Sequence, residues 1–141
     1  LDLGIGALFG ARMAASSEGP ALGSVGLTAA RADDLPRLLD LSPELLQEHE
    51  GFLSETGARE LARVARAHTR TDLGLVLTGV LGPESGGPNH PVGQMFLALV
   101  SQDREKTIET RFVSMSRDEI RRWAAATALR MVLDHCREEE G

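Results

Sequence analysis

Two largely apolar runs, residues 73–77 and 92–100, the second broken only by Gln94, constrain this chain more than any other feature. A half-exposed strand alternates apolar and polar residues, whereas a run that is apolar throughout has no wet face to offer. Both runs therefore predict central strands covered on each side. Between them lies the segment 78–93, whose glycines and prolines break helices and weaken strands. The chain is thus expected to bury a sheet and to hold an irregular loop at one end of it.

The remaining segments divide by hydrophobic period. Residues 1–5 read as a strand, Gly6 and Ala7 as a tight turn, and 8–15 as a small apolar helix. After a break at 16–20, residues 22–29 favour a buried strand interrupted by glycines. A short helix follows at 33–39 with Asp33 able to cap it, and Ser42, Pro43 and Glu44 open another. Ser54 caps a longer helix to about His68, with Ala58, Leu61, Ala62 and Ala65 on its inner face. Residues 106–113 alternate as a strand with one wet face, antiparallel to its neighbour after a hairpin near 102–105.

The last helix carries an S-x-x-E capping box at Ser116 and Glu119, then a stripe of Ile120, Trp123, Ala124, Thr127, Ala128, Met131 and Val132. Its tail, 137–141, is charged and expected to fray. Strands and helices interleave, so the fold class is α/β: a three-layer α/β/α arrangement around a mixed, mostly buried sheet. At 141 residues this is a single domain, 1–141, and the start at Leu1 leaves room for it to be the C-terminal part of a longer chain.

Fifteen Lys+Arg against twenty-one Asp+Glu give a net charge of −6, a surface that repels phosphate backbones and anionic lipid. Nucleic acid and membrane are not expected partners. No run approaches the roughly 20 apolar residues of a membrane span. A single cysteine, Cys136, excludes an internal disulfide and fits a reducing, cytoplasmic compartment. The histidines at 49, 68, 90 and 135 lack metal-ligand spacing, so neither metal nor cofactor is expected. Cys136 reads as structural, and the terminal helix and covered sheet leave room for a homo-oligomer.

The chemistry concentrates in 78–93. Glycines at 79, 82, 86, 87 and 93 let the backbone approach a ligand and present amide N–H groups, which suits an anion such as phosphate. A surface hairpin connection with no ligand has the same composition. The absence of G-x-x-x-x-G-K-[ST] excludes a P-loop. The turn around Gly6, between a strand and a helix N-terminus, is a second and weaker phosphate candidate.

The string Thr78-Gly79-Val80-Leu81-Gly82-Pro83, followed by Gly86-Gly87 and Pro91-Val92-Gly93, resembles the T-G-[IV]-[AL]-G-P, G-G, [KR]-P-V-G signature of the CinA C-terminal domain family. Leu38-Leu39-Asp40-Leu41-Ser42-Pro43-Glu44 is similar to that family's L-L-G-V-x-x-E, and Gly51-Phe52-Leu53-Ser54 to its G-x-V-S. Arg117 with Ile120-Arg121 is similar to its G-x-R-x-x-[IV]-R, although Ser114-Met115-Ser116 lacks the glycine. The resemblance implies an α/β sandwich that hydrolyses nicotinamide mononucleotide to nicotinate mononucleotide and ammonia. In such a site a serine, assisted by a lysine and a tyrosine, attacks the carboxamide, while the loop threonine and an arginine hold the nucleotide.

The binding half of that pattern falls on Thr78, Gly79, Gly82, Gly86, Gly87 and Arg117. The catalytic half does not match. The family's E-S-C-T-G-G falls on Asp2-Leu3-Gly4-Ile5-Gly6-Ala7, which puts Leu3 in the nucleophile's place. Its Y-S-N-x-x-K falls on Ala30-Arg31-Ala32-Asp33-Asp34-Leu35, without tyrosine or lysine, and a guanidinium stays protonated and cannot act as the base. Ser16, Ser17 and Ser24 have no accompanying lysine or histidine at a recognisable spacing, and the only lysine of the chain is Lys106. The expected function is a CinA-like domain without the Ser/Tyr/Lys machinery, serving as a nucleotide-binding or assembly module. The alternative is an active nicotinamide mononucleotide deamidase using non-standard residues.

Overall fold

Side-chain oxygens set where the helices begin. Ser42 Oγ accepts from the Leu45 N–H to start α3 (Pro43–Glu48), and Ser54 Oγ accepts from the Gly57 N–H at 2.9 Å to start α4 (Glu55–Thr69). Ser116 and Glu119 close a reciprocal capping box at the start of α5 (Arg117–Glu140): Ser116 Oγ accepts from the Glu119 N–H, and Glu119 Oε2 accepts from the Ser116 N–H at 2.7 Å. These three caps fall where the sequence predicts them. The computed structural model describes residues 2–3, 8–15, 27–29, 31–49 and 52–141. Among these, α1 is Leu8–Ala15, α2 is Leu35–Leu39, and the strands are β1 (Asp2–Leu3), β2 (Thr28–Ala29), β3 (Gly74–Gly79), β4 (Gln94–Val100) and β5 (Glu105–Arg111).

The strands form one five-stranded sheet in the order β2-β1-β3-β4-β5. β1 runs parallel to both β2 and β3, whereas β3, β4 and β5 are antiparallel. The mixed sheet follows from connection length. β4 and β5 are joined by a tight hairpin closed by Ser101 N–H to Arg104 O, while return to a parallel strand needs a helical crossover.

Both central strands are covered on each side, as their apolar runs require. Val76, Phe96, Ala98 and Val100 face one core with Leu35 and Leu39 of α2, Phe52, and Ala58, Leu61 and Ala62 of α4. Leu77, Met95, Leu97 and Leu99 face the other, against Ile120, Ala124, Ala128 and Met131 of α5, with Phe9 of α1 packed beside them. Each fully buried Leu on the sheet stabilises by roughly 1.5–3 kcal/mol relative to exposure, so β3 and β4 anchor both layers. The α/β/α architecture is the one the sequence predicts.

Three local expectations are corrected. Asp33 does not cap the helix after it; residues Ala32–Asp34 form a 3-10 turn, and Asp33 pairs instead with Arg31 at 3.2 Å. Trp123 does not join the inner stripe of α5 but is 55% exposed, because Ile120, Ala124, Ala128 and Met131 already fill a narrow contact with the sheet. The charged tail is helical through Glu140. The expected break at 16–20 and the first part of the second strand, 22–26, lie outside the described residues.

At the hairpin end, Arg63 of α4 grips Glu105 of β5 with two hydrogen bonds, Nε to Oε1 at 2.6 Å and Nη2 to Oε2 at 2.7 Å. This bidentate bond holds the Glu105 carboxyl below its ordinary value of 4.5. A carboxyl depressed in the folded state adds stability that is present above the unfolded value and lost as pH falls through the folded one. Chemical denaturation across pH should therefore show the widest gap between wild type and Glu105→Gln at neutral pH. The gap is expected to close below pH 4.5.

Candidate functional site

The parallel strands β1 and β3 end at the same edge of the sheet, with α1 on one face and α4 on the other, which is where an α/β sheet opens a crevice for ligands. Asp2 registers with Leu77, so Leu3 lies alongside Thr78. The position that the resemblance gives to the nucleophile is thus next to the loop threonine, and a leucine occupies it. Gly6 and the turn around it lie outside the described residues, as do Ser16, Ser17, Ser24 and Ala30. Arg31 is exposed and paired with Asp33.

Thr78 belongs to β3 rather than to the loop, because threonine suits a strand and its backbone pairs with Phe96. It is fully buried, and its Oγ1 has no hydrogen-bond partner. A buried hydroxyl left unpaired costs about 1–3 kcal/mol, so this is an exception that asks for a cause. Gly79 closes the strand opposite Met95. The loop proper, 80–93, is tied at its base by Val80 N–H to Gln94 O and Gly93 N–H to Val80 O. At its tip Gly86 N–H donates to His90 O and His90 N–H to Gly87 O.

The amide of Gly86 is therefore spent inside the loop, contrary to the expectation that it is presented outward. The amides of Gly82 and Gly87 donate no hydrogen bond among the described residues, although the Gly87 carbonyl accepts from His90. Gly87 is open, with nothing within 4 Å of the space where a Cβ would stand. Gly82 has φ +83 and precedes Pro83 in a cis peptide, and a Cβ on it would meet Val92 Cγ1 at 2.8 Å.

Arg117, the first residue of α5, reaches back across the sheet edge and donates from Nη1 to Gly82 O at 2.8 Å. Loop and helix are separated by 35 positions in sequence and joined by this bond. Its acceptor is a neutral carbonyl, and among the described residues no carboxylate pairs with Arg117. Thr78, Gly82 and Arg117 thus share one end of the sheet. Sequence reasoning missed the polar chain beside them: His90 Nδ1 lies 3.0 Å from Gln94 Oε1, and Gln94 Nε2 donates to Glu109 Oε1 at 2.9 Å, linking loop to β5. Only the fold brings these three together, so no local pattern signals them.

Lys106 cannot serve as a base here. It pairs with Leu99, three residues along β4 from the partner of Thr78 and on the opposite side of that strand. Strand rise and spacing put its backbone roughly 14 Å from that of Thr78 and roughly 17 Å from that of Leu3. It lines instead a cleft of about 540 Å³ at the hairpin end, with Leu99, Arg104, Met131, His135 and Glu138. Two ion pairs border that cleft, Arg104 with Glu138 and Glu105 with Arg63.

Among the described residues no group of three or more His, Cys, Asp or Glu is placed to hold a metal ion. His49 stacks on Phe52 with ring centroids 5.6 Å apart, and His135 is buried on α5 with Nε2 3.0 Å from Glu139 Oε1. Cys136 is exposed rather than part of the core. No described helix is long and apolar enough to cross a membrane.

This geometry defines a three-layer α/β/α domain whose mixed sheet carries a glycine-rich loop at the end of its parallel strands. The chain belongs to the CinA C-terminal domain family, whose model matches residues 8–136. A relative from Streptococcus pneumoniae (strain CGSP14), carrying the name competence-damage inducible protein, is 34% identical over 125 residues, 89% of this chain. The chain spans only 29% of that relative's length.

Solved structures agree in fold. The competence/damage inducible protein CihA from Agrobacterium tumefaciens superposes with a TM-score of 0.84 at 25% identity, over 94% of this chain and 81% of its own. A competence or damage-inducible protein from Enterobacter asburiae gives 0.84 at 22% identity, over 95% and 83%.

Gly82→Ala tests the loop's backbone. Left-handed strain and the clash with Val92 should cost about 1–2 kcal/mol in denaturant titration, and the loop should become more readily cleaved by protease.

Proposed function

We propose that this CinA-family domain binds a phosphate-bearing nucleotide of the nicotinamide mononucleotide type, through Thr78, the loop glycines and Arg117, without hydrolysing its amide by the family's serine route. The observation that carries the reading is the Thr78 hydroxyl, fully buried and unpaired at the end of β3. Folding alone gains nothing from a threonine there, since an isosteric valine removes the unsatisfied oxygen. A ligand oxygen that accepts from the hydroxyl restores the missing hydrogen bond. The Arg117 guanidinium, held on a carbonyl and not neutralised by a carboxylate, supplies the charge that a phosphate needs on an otherwise acidic protein.

Loss of the chemistry follows from the residue types. Amide hydrolysis needs a nucleophile and a group to take its proton, and Leu3 and Arg31 can be neither. Lys106 lies at the far end of the sheet.

Thermal unfolding with nicotinamide mononucleotide tests binding, and ammonia release tests turnover. At a hundredfold excess over Kd the nucleotide should stabilise the wild type by about 2–3 kcal/mol and release no ammonia. Thr78→Val should leave the free protein equally stable, or more stable by about 1 kcal/mol, while abolishing the nucleotide's effect. A less stable Thr78→Val, or ammonia release that is lost in Arg117→Ala, would show the reading to be wrong.

A further inference from the structure

The inner face of α5 is used up by the sheet, yet its outer face also repeats. Glu119, Trp123, Ala126, Arg130, Leu133 and Arg137 recur at alternating intervals of four and three residues, and all are exposed. That spacing puts them on one stripe of the helix, a seam with Trp123, Ala126 and Leu133 as its apolar positions and charged residues between and beyond them. Trp123 is 55% and Leu133 45% exposed, which makes them two of the large hydrophobic side chains left in water among the described residues. A tryptophan on a seam position, flanked by arginines, is the kind of anchor that interfaces favour.

We infer that the outer face of α5 is a docking surface for a second copy of this chain, packed antiparallel about a two-fold axis at the level of Ala128. The partner is specified by self-complementarity. In that register Trp123 of one copy meets Leu133 of the other, Ala126 gives room to the long Arg130, and Glu119 meets Arg137 with opposite charge. Arg122 and Asp134, flanking the seam, are likewise brought opposite each other. Every seam position thus finds a seam position of suitable size or sign, twice over by symmetry, as an isologous interface demands. A parallel pairing sets Arg130 on Arg130 and Arg137 on Arg137.

The contact runs over 119–137, roughly 28 Å of a single helix, and one helix pair of that length makes a smaller interface than the standard of about 800 Å² per partner. The dimer is therefore reversible and concentration-dependent. Leu133 lies sixteen residues along α5 from Arg117, roughly 24 Å of helix, so Leu133→Glu tests the dimer separately from nucleotide binding.

Trp123 is the only tryptophan in the chain and reports on the contact directly. Sedimentation equilibrium should show a dimer forming in the range of tens to hundreds of micromolar, with a blue shift of tryptophan emission over the same range. Leu133→Glu should abolish both. Ala126→Arg should weaken the dimer about tenfold by facing Arg130 of the other copy, and adding Arg130→Glu should restore it. All three substituted positions are exposed, and unchanged circular dichroism melting certifies the fold. A wild type monomeric across that range overturns the proposal, as does a dimer indifferent to Leu133→Glu or not rescued by the double change. A monomer whose Trp123 emission shifts only with another protein points to a different occupant and equally overturns it.

Discussion

Everything in this domain depends on the antiparallel pair β3 and β4 being buried on both faces. Six registered residue pairs, from Gly74 with Val100 to Gly79 with Met95, satisfy the backbone while the side chains go alternately to α4 and to α5. Neither helix layer is dispensable, because removing one exposes a full row of leucines or valines. It also makes the strands intolerant of polar atoms. The ladder pairs the main chain, but nothing in it pairs a side-chain hydroxyl, and Thr78 therefore stands out as the polar residue whose place in β3 packing does not explain.

The two ends of the sheet treat charge in opposite ways. At the hairpin end, Arg63 closes on Glu105 and Arg104 on Glu138, so both arginines there have a carboxylate. At the loop end, Arg117 is held by Gly82 O instead. A carbonyl fixes the side chain's direction without neutralising it. The acidic chain thus keeps a cation at the end where β1 and β3 stop.

Legibility in the sequence followed the range of the interactions. The caps at Ser42, Ser54 and Ser116 and the strands over 73–77 and 92–100 rest on contacts within a few residues, and each appears where its pattern puts it. Asp33 and Trp123 were misplaced because their fate is decided by competition: Arg31 takes the carboxylate of one, and four smaller side chains take the sheet contact from the other. The link from Arg117 to Gly82 is hidden from local reading, being 35 residues long. The family signature named both ends of it, since a motif can preserve a long-range contact that periodicity cannot express. The chain from His90 through Gln94 to Glu109 had no such motif and stayed invisible.

The glycines of that signature do not all speak for a ligand. A side chain on Gly93 would run into the Phe112 carbonyl, and Gly82 holds a left-handed backbone against Val92, so the fold needs both whether or not anything binds. Gly86 is hemmed in by Val80, His90 and Leu53, and its amide is already bonded. Gly87 differs: its surroundings are open and its amide donates no hydrogen bond among the described residues. Subtracting what the fold itself requires leaves Thr78, Gly87 and Arg117 as the residues whose chemistry packing does not consume. A chain under selection for the fold alone has reason to keep the first set and none to keep a buried, unpaired hydroxyl. On the function proposed above, Thr78 beside Leu3 is a residue kept for a ligand and not for the scaffold.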